Sequence, residues 1–281
     1  MSKTRSSQNK KVTISQLNNH AIHNKRQALK DLKQLNFDEM EFKNPAQKRF
    51  YNTITKKDVT FCIGPAGCGK TFLSVHRALR ELGDKDSRID GIVIVKPLVE
   101  AAGEKIGYLP GDVEEKTAPF MMSYYYNMEQ IIGKDRLKVL LDEKVIRVVP
   151  LAYMRGLTFD NKMILLDETQ NATPEQIKMF LTRIGTNSKI VVTGDLNQTD
   201  KHGTNGLDDS IRRFFNIGRV GLSRFTKEDI VRHPIIAKLL ERYEDNFVLP
   251  STPAEMTISQ YVHEHYKDYE EQNNFKPEYH N

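Results

Sequence analysis

The chain has 281 residues, 38% hydrophobic and 28% charged, a balance that suits a soluble globular protein with one large domain, or a medium domain with tails. Its longest aliphatic runs, such as Ile92–Val95 and Met163–Leu166, are far too short to cross a bilayer, and no apolar segment follows the basic start to make a secretory signal. A formal charge of +5 is too mild to identify nucleic acid as a partner by itself, while a cysteine pair, Cys62 and Cys68, excludes a disulfide framework and points to a reduced, cytoplasmic setting.

Residues 1 to about 40 form a basic N-terminal segment, partly disordered or helical, in which Ile14–Leu35 has the spacing of an amphipathic helix. Its lysines and arginines read either as a solvated tail or as an arm that touches phosphates. A main domain is expected over residues 41–248. Asn44–Ile54 predicts a helix leading into a strand at Val59–Ile63. Further strands are expected at Ile92–Val95, Val145–Val149, Met163–Leu166, Ile190–Val192 and Val220–Leu222, with helix-like segments between most of them. This alternation predicts a doubly wound α/β fold with a parallel sheet. In the long gap from Pro97 to Lys144, a turn-rich loop precedes a helical stretch around Phe120–Ile132. Tyr124, Tyr125 and Tyr126 cannot all share one face of that helix, so packing is expected of one or two and base stacking is open to the rest. A last helix is expected at Lys227–Tyr243, and residues 249–281 read as a polar, acidic tail.

Gly64-Pro65-Ala66-Gly67-Cys68-Gly69-Lys70-Thr71 fits G-x-x-x-x-G-K-[ST] without mismatch, between an apolar strand and a helical pattern at Phe72–Leu82. Glycines let backbone N–H groups converge on phosphate oxygens, and the helix start adds its positive dipole end. Lys70 is expected on the β- and γ-phosphates and Thr71 on Mg²⁺. Met163-Ile164-Leu165-Leu166-Asp167-Glu168 is an aliphatic strand ending in two acids, where open α/β sheets place their ligands. Asp167 is expected to hold the metal and Glu168 to activate water. A helix cap is the alternative for the pair, but Thr173 with Pro174 makes the better cap. Ile190–Gln198 ends another strand in a polar tip, with Gln198 placed to sense the γ-phosphate or orient water. GTP is not expected. Thr55-Lys56-Lys57-Asp58 has the letters of a guanine reader but lies at the entry of the first strand, and Asn161-Lys162 lacks the following acid.

The loop, Leu166-Asp167-Glu168-Thr169-Gln170-Asn171 and Thr193-Gly194-Asp195-Leu196-Asn197-Gln198 together resemble the PhoH-like proteins, whose core is similar to the first motor domain of superfamily 1 helicases. Lys96–Glu100, Gly103–Asp112, Pro150–Gly156, Met179–Arg183 and Asp229–Pro234 are similar to the same family, in the same order. The resemblance runs from about Asn44 to Tyr243. It implies a RecA-like ATPase, found in bacteria and their phages and associated in fused relatives with an RNA-cleaving domain. Gln47 resembles the glutamine that reads adenine in helicase-like ATPases, the other reading being an exposed helix glutamine. Arg183 and Arg232 match family arginines that contact phosphate, as an arginine finger or simply as salt-bridged surface residues. Cys68 departs from the small hydroxyl residue more usual there. Gly156-Leu157-Thr158 lacks a second basic residue, which weakens a nucleic-acid grip in that loop.

After Gln198 too little chain is left, the tail discounted, for a second RecA-like domain. A neighbouring subunit is therefore expected to complete the ATP site in a homo-oligomer, as a ring of hexameric type. RNA or single-stranded DNA is the partner the resemblance implies, with Tyr153 and Arg155 as contacts. A small-molecule kinase and an ATP-binding switch without turnover are the other function classes.

Overall fold

The computed structural model describes residues 14–97, 113–196, 198, 205–214, 216–231 and 235. The unit built by these residues up to 231 is organised on six strands, β1 (Val59–Ile63), β2 (Gly91–Lys96), β3 (Ile146–Pro150), β4 (Lys162–Leu166), β5 (Lys189–Gly194) and β6 (Val220–Arg224). All pairings are parallel, in the order β3-β2-β4-β5-β1-β6. Each expected strand is present within a residue or two. Side chains alternate across the sheet, as a period of two demands. Ile92, Ile94, Met163, Leu165 and Val191 enter one hydrophobic cluster, while Val93, Val95, Ile164, Leu166, Ile190 and Val192 enter another on the opposite face.

Helices cover both faces. On one side lie α2 (Pro45–Lys56), α3 (Lys70–Gly83), α4 (Val113–Ile132) and α5 (Lys134–Asp142), with α1 (Ile14–Lys33) packed over α3 and α5. On the other lie α6 (Pro174–Leu181) and α7 (Gly206–Phe214). Ala28 and Leu32 of α1 are buried in the core, so this part of the basic N-terminal segment belongs to the folded body. The architecture is a doubly wound α/β fold on a six-stranded parallel sheet.

Two helix starts follow from sequence chemistry. The Asn44 side chain accepts from the Gln47 N–H at 2.9 Å, with Pro45 in the first turn of α2. Thr173 and Gln176 form a reciprocal capping box on α6, with Pro174 behind the cap, as expected.

Candidate active site

Because the sheet is parallel, the C-terminal tips of β1, β4 and β5 share one edge. β5 lies between β1 and β4, so the latter pair stands about 10 Å apart. The tip of β5 fills that interval, with Thr193 paired to Cys62 and Gly194 to Ile63. Thr55–Asp58, the guanine-reader look-alike, lies at the opposite edge, where Asp58 pairs with Arg219.

The loop after β1 has glycine where side chains cannot fit. Gly64 has φ +152°, and a Cβ there would stand 2.6 Å from the Phe225 Cβ. Gly69 precedes α3 in the left-handed region and offers no side-chain cap. The first N–H groups of α3 are thus left for an anion. Lys70 Nζ donates to the carbonyls of Gly64 at 2.6 Å and Pro65 at 2.8 Å, which holds the ammonium over the loop with one proton to spare.

The loop is braced from two sides. Gln47 is buried, not an exposed helix residue; its Nε2 donates to the Cys68 carbonyl at 3.0 Å and its Oε1 accepts from Lys43 N at 2.9 Å. Any contact with a base falls to the one amide hydrogen and one lone pair left over. On the other side, Val231 N donates to the Gly67 carbonyl at 3.1 Å and Asn44 Nδ2 to the Asp229 carbonyl at 3.2 Å. Burial pushes the Cys68 thiol up to about 11, so it packs as a neutral side chain.

This bracing segment corrects only the start of the expected helix Lys227–Tyr243. Lys227–Asp229 is a single 3-10 turn, closed by Thr226 N donating to Asp229 Oδ2 at 2.9 Å, and Ile230 is extended. The Val231 N–H that a helix would direct to Lys227 is given to Gly67 instead. The rest of that stretch, Arg232 included, lies outside the described residues, except for Ile235. So do Asn197 and the Gly103–Asp112 run.

At the tip of β4, Asp167 is buried and its carboxylate is held on both oxygens. Thr71 Oγ1 donates to Oδ2 at 3.0 Å, and Thr193 Oγ1 makes a short hydrogen bond to Oδ1. On α4, burial first, then the Asp167 charge, raises the buried Tyr124 phenol well above its usual value. Glu168 is exposed and sits in the left-handed region at φ +55°, unusual for a residue with a Cβ and a cost of roughly 1–2 kcal/mol. Gln170, buried, connects it to β5: Asp195 N donates to Gln170 Oε1 at 3.1 Å, and Gln170 Nε2 donates to Glu168 Oε2 at 2.8 Å. The first bond fixes which end of the amide faces Glu168.

These groups line a cleft of about 420 Å³ with Lys70, Thr71, Asp167, Glu168 and Gln198 on its walls. One turn of α4 adds Ser123, Tyr126 and Asn127. Of the three tyrosines, Tyr124 is buried, Tyr125 half-buried and Tyr126 exposed in the cleft wall. A hydroxyl and a carboxylate facing each other above a phosphate-type loop fit a small hard cation that keeps waters and takes its other ligands from substrate phosphates. Among the described residues, no group of three or more His, Cys, Asp and Glu is placed to hold a metal.

Arg183 is not brought to this cleft. Its guanidinium donates to the carbonyls of Met179 and Leu157 at 3.1 Å each and to Thr182 Oγ1 at 2.9 Å, at the end of α6 remote from the strand tips. It forms neither a finger on its own site nor a surface salt bridge. Tyr153 and Arg155 are both exposed, in the turn that leaves the tip of β3 on the cleft edge of the sheet.

With this geometry, the comparison with known proteins is decisive for lineage. The family described as "PhoH-like protein" matches residues 39–244. The chain belongs to the PhoH-like family. It is 40% identical over 204 residues to a PhoH-like protein of Bacillus subtilis (strain 168), covering 72% of this chain and 63% of that one. It is 42% identical over 200 residues to a PhoH-like protein of Synechocystis sp., covering 70% and 60%. The chain thus spans about three fifths of the length of these curated PhoH-like relatives. Among solved structures it is similar to a Pif1 helicase from Candida albicans, at 14% identity and a TM-score of 0.38, over 85% of this chain and 56% of that one. A likeness that remote carries no weight for the site. Among the described residues of this PhoH-like chain, no helix is long and apolar enough to cross a membrane.

The residues the sequence pattern left without a role are Gln170 and Thr193, while Tyr124 packs in the core. Tyr124 shares an i, i+4 row with Met128 and Ile132, which marks it as inward-facing.

Proposed function

We propose that this chain hydrolyses ATP with magnesium and couples turnover to RNA or single-stranded DNA as a helicase-like motor. The observation that carries the reading is the meeting of Thr71 and Asp167 at 3.0 Å above the P-loop, with Glu168 and Gln198 in the same cleft. Backbone N–H groups of the loop and of the α3 start bind the β- and γ-phosphates, and Lys70 turns its ammonium to them. Thr71 and Asp167 would hold the magnesium, which supplies charge to offset that building on the phosphate oxygens. Glu168 takes the proton of the attacking water through the oxygen that Gln170 does not occupy. Gln198 orients that water or senses the terminal phosphate.

Tyr153 and Arg155 offer a stacking face and a cation to a single strand on the cleft edge. Binding there weakens as salt rises; affinity that is flat with salt would remove phosphate contacts from the reading. The cleft wall leaves Phe72 and Tyr126 exposed, which supports a neighbouring subunit as its missing cover, in a ring whose six-fold form is part of the proposal. A monomer in native mass spectrometry with full ATPase activity would remove the ring.

One assay tests the whole reading: phosphate release with and without RNA or single-stranded DNA, for the wild type and Glu168→Gln. Stimulation by nucleic acid that disappears in the variant is the expected result. Phosphate transferred to a small acceptor would make the protein a kinase. Binding of ATP without release would make it a switch.

A further inference from the structure

The tip of β5 outruns its pairing with β4. Their register ends at Leu166 and Val192, while β5 goes on beside β1 through Thr193 and Gly194. Past that point two threonine hydroxyls join β5 to the chain leaving β4. Thr169 Oγ1 donates to the Thr193 carbonyl at 2.9 Å. Thr193 Oγ1 in turn lies 3.5 Å from the Leu166 carbonyl and makes its short bond to Asp167 Oδ1. A hydroxyl has a single proton to give, and the nearer carboxylate takes it. Thr169 is 0% and Thr193 2% exposed, so bulk water does not stand in for these bonds.

The two oxygens of Asp167 are thereby given different work. Thr193 occupies Oδ1, while Oδ2 faces Thr71 Oγ1 at 3.0 Å. When the Thr71 hydroxyl oxygen turns to a cation, its proton leaves Oδ2. The Thr193 bond, on the other oxygen, is free to stay and to hold the rotation of the carboxylate. Asp195, two residues further along, gives its N–H to Gln170, which donates to Glu168. One strand tip thus sets both acids. Thr193 also follows Ile190-Val191-Val192, a run that valine would continue with the same branched shape and no hydroxyl to satisfy. Nor does every buried hydroxyl of the sheet find such a partner. Thr60 on β1 is fully buried, and its Oγ1 has no hydrogen-bond partner among the described residues.

We propose that Thr193 is a positioning residue for the metal-side carboxylate: its hydroxyl claims one oxygen of Asp167 and so turns the other to the cation. This inference rests on the magnesium–nucleotide reading above. Partners of this kind, one bond removed from a metal ligand, are worth about 10–100-fold in metal affinity.

The test uses the full chain, with ADP and Mn²⁺ as probes, and compares Thr193→Val, Thr193→Ser and Thr60→Val. In Thr193→Val, ADP affinity without metal should stay within about twofold of wild type, while Mn²⁺ affinity of the protein–ADP complex, read by electron paramagnetic resonance, falls about tenfold. Thr193→Ser keeps the hydroxyl and should keep the wild-type Mn²⁺ affinity. So should Thr60→Val, which removes a buried hydroxyl elsewhere in the sheet. Unchanged Mn²⁺ affinity in a folded Thr193→Val overturns the proposal, as does an equal loss in Thr193→Ser or Thr60→Val. Should Thr193→Val not fold, wild type labelled with ¹³C in its threonine methyl groups gives a second readout, the Thr193 signal being the one that Thr193→Ser lacks. That signal should move when Mg²⁺ joins the protein–ADP complex, and a signal that stays put overturns the proposal equally. If the wild type takes up no ADP, or no Mn²⁺ with it, the magnesium–nucleotide reading fails first and this inference falls with it.

Discussion

The Thr71 hydroxyl donates to the Asp167 carboxylate at 3.0 Å, joining residues 96 positions apart across the head of the cleft. The bond closes the interval that the intervening strand β5 leaves between β1 and β4. It also specifies where a cation would enter, between a hydroxyl oxygen and a carboxylate oxygen that already face each other. Asp167→Asn keeps the shape and removes the charge. Hydrolysis should fall at least about 10–100-fold, and the gain in ADP affinity on adding Mg²⁺ should disappear. Phosphate release across a magnesium series, with calorimetric ADP titrations with and without the metal, measures both. A variant with the wild-type magnesium dependence would remove Asp167 from the metal.

Glu168 holds a left-handed backbone that costs roughly 1–2 kcal/mol, and a glycine would relieve it. Glu168→Gly should therefore abolish turnover while leaving stability unchanged or raising it, by up to about 1 kcal/mol after the entropy glycine loses on folding. Glu168→Gln should cut kcat by about 10²–10⁴ and spare nucleotide affinity. Gln170→Leu, which leaves the acid in place but unaimed, should fall between wild type and Glu168→Gln. Denaturant titrations paired with single-turnover kinetics separate these effects. A Glu168→Gly variant that is strongly destabilised would mean the strain is absent.

Much of this was readable in advance because it is local. β2, β4 and β5 are aliphatic runs buried on both faces, which makes the centre of a parallel sheet follow from composition and period, whereas the edge strand β6 exposes Leu222 and Arg224. The P-loop carries its glycines in sequence, and Thr173-Pro174 states where α6 begins. What escaped was non-local or weakly patterned. α5 buries Leu137 and Leu140 and α7 buries Leu207, stripes too thin to define a helix by period. The helix expected from Lys227 does not begin there because Val231 N serves Gly67, far away in sequence. Arg183 has the letters of a phosphate contact, yet three of its five N–H donors go to Met179, Leu157 and Thr182 at the end of α6 remote from the strand tips. Gln170 and Thr193 act through partners on other elements, and no spacing rule encodes that.

Gly194 shows how tightly β5 is fitted to the acid pair. A Cβ there would stand 2.8 Å from Gln170 Oε1 and 2.6 Å from Leu207 Cδ2. Leu207 is fully buried, and Gln170 is held at both ends of its amide, so neither can give way freely. Gly194→Ala should destabilise by about 1–3 kcal/mol. It should also lower kcat beyond what partial unfolding explains, because Gln170 is pushed off Glu168. Measuring kcat well below the melting range isolates that second effect. Normal kcat in the destabilised variant would mean that Gln170 does not aim the acid.

A titrating ring on the buried face of α3 gives the fold a dependence on acid. Burial first, then Arg80 and Arg77, lowers His76 to about 4, and its Nδ1 pairs with the Tyr51 hydroxyl at 2.9 Å. The native state thus prefers the neutral ring. Above pH 6.5, the ordinary histidine value, both states hold it neutral and its contribution is complete. As pH falls from there towards 4, the unfolded chain takes up a proton that the native chain refuses, and stability is lost across that window. Other groups titrate in the same range, so the quantity to follow is the difference in denaturant midpoint between the wild type and His76→Gln. At pH 7.5 the variant should be the less stable, having lost the Tyr51 contact. Towards pH 4.5 the gap should narrow, as the wild type surrenders what the glutamine never had. A gap that stays constant from pH 7.5 to 4.5 would show that His76 carries the same charge in both states.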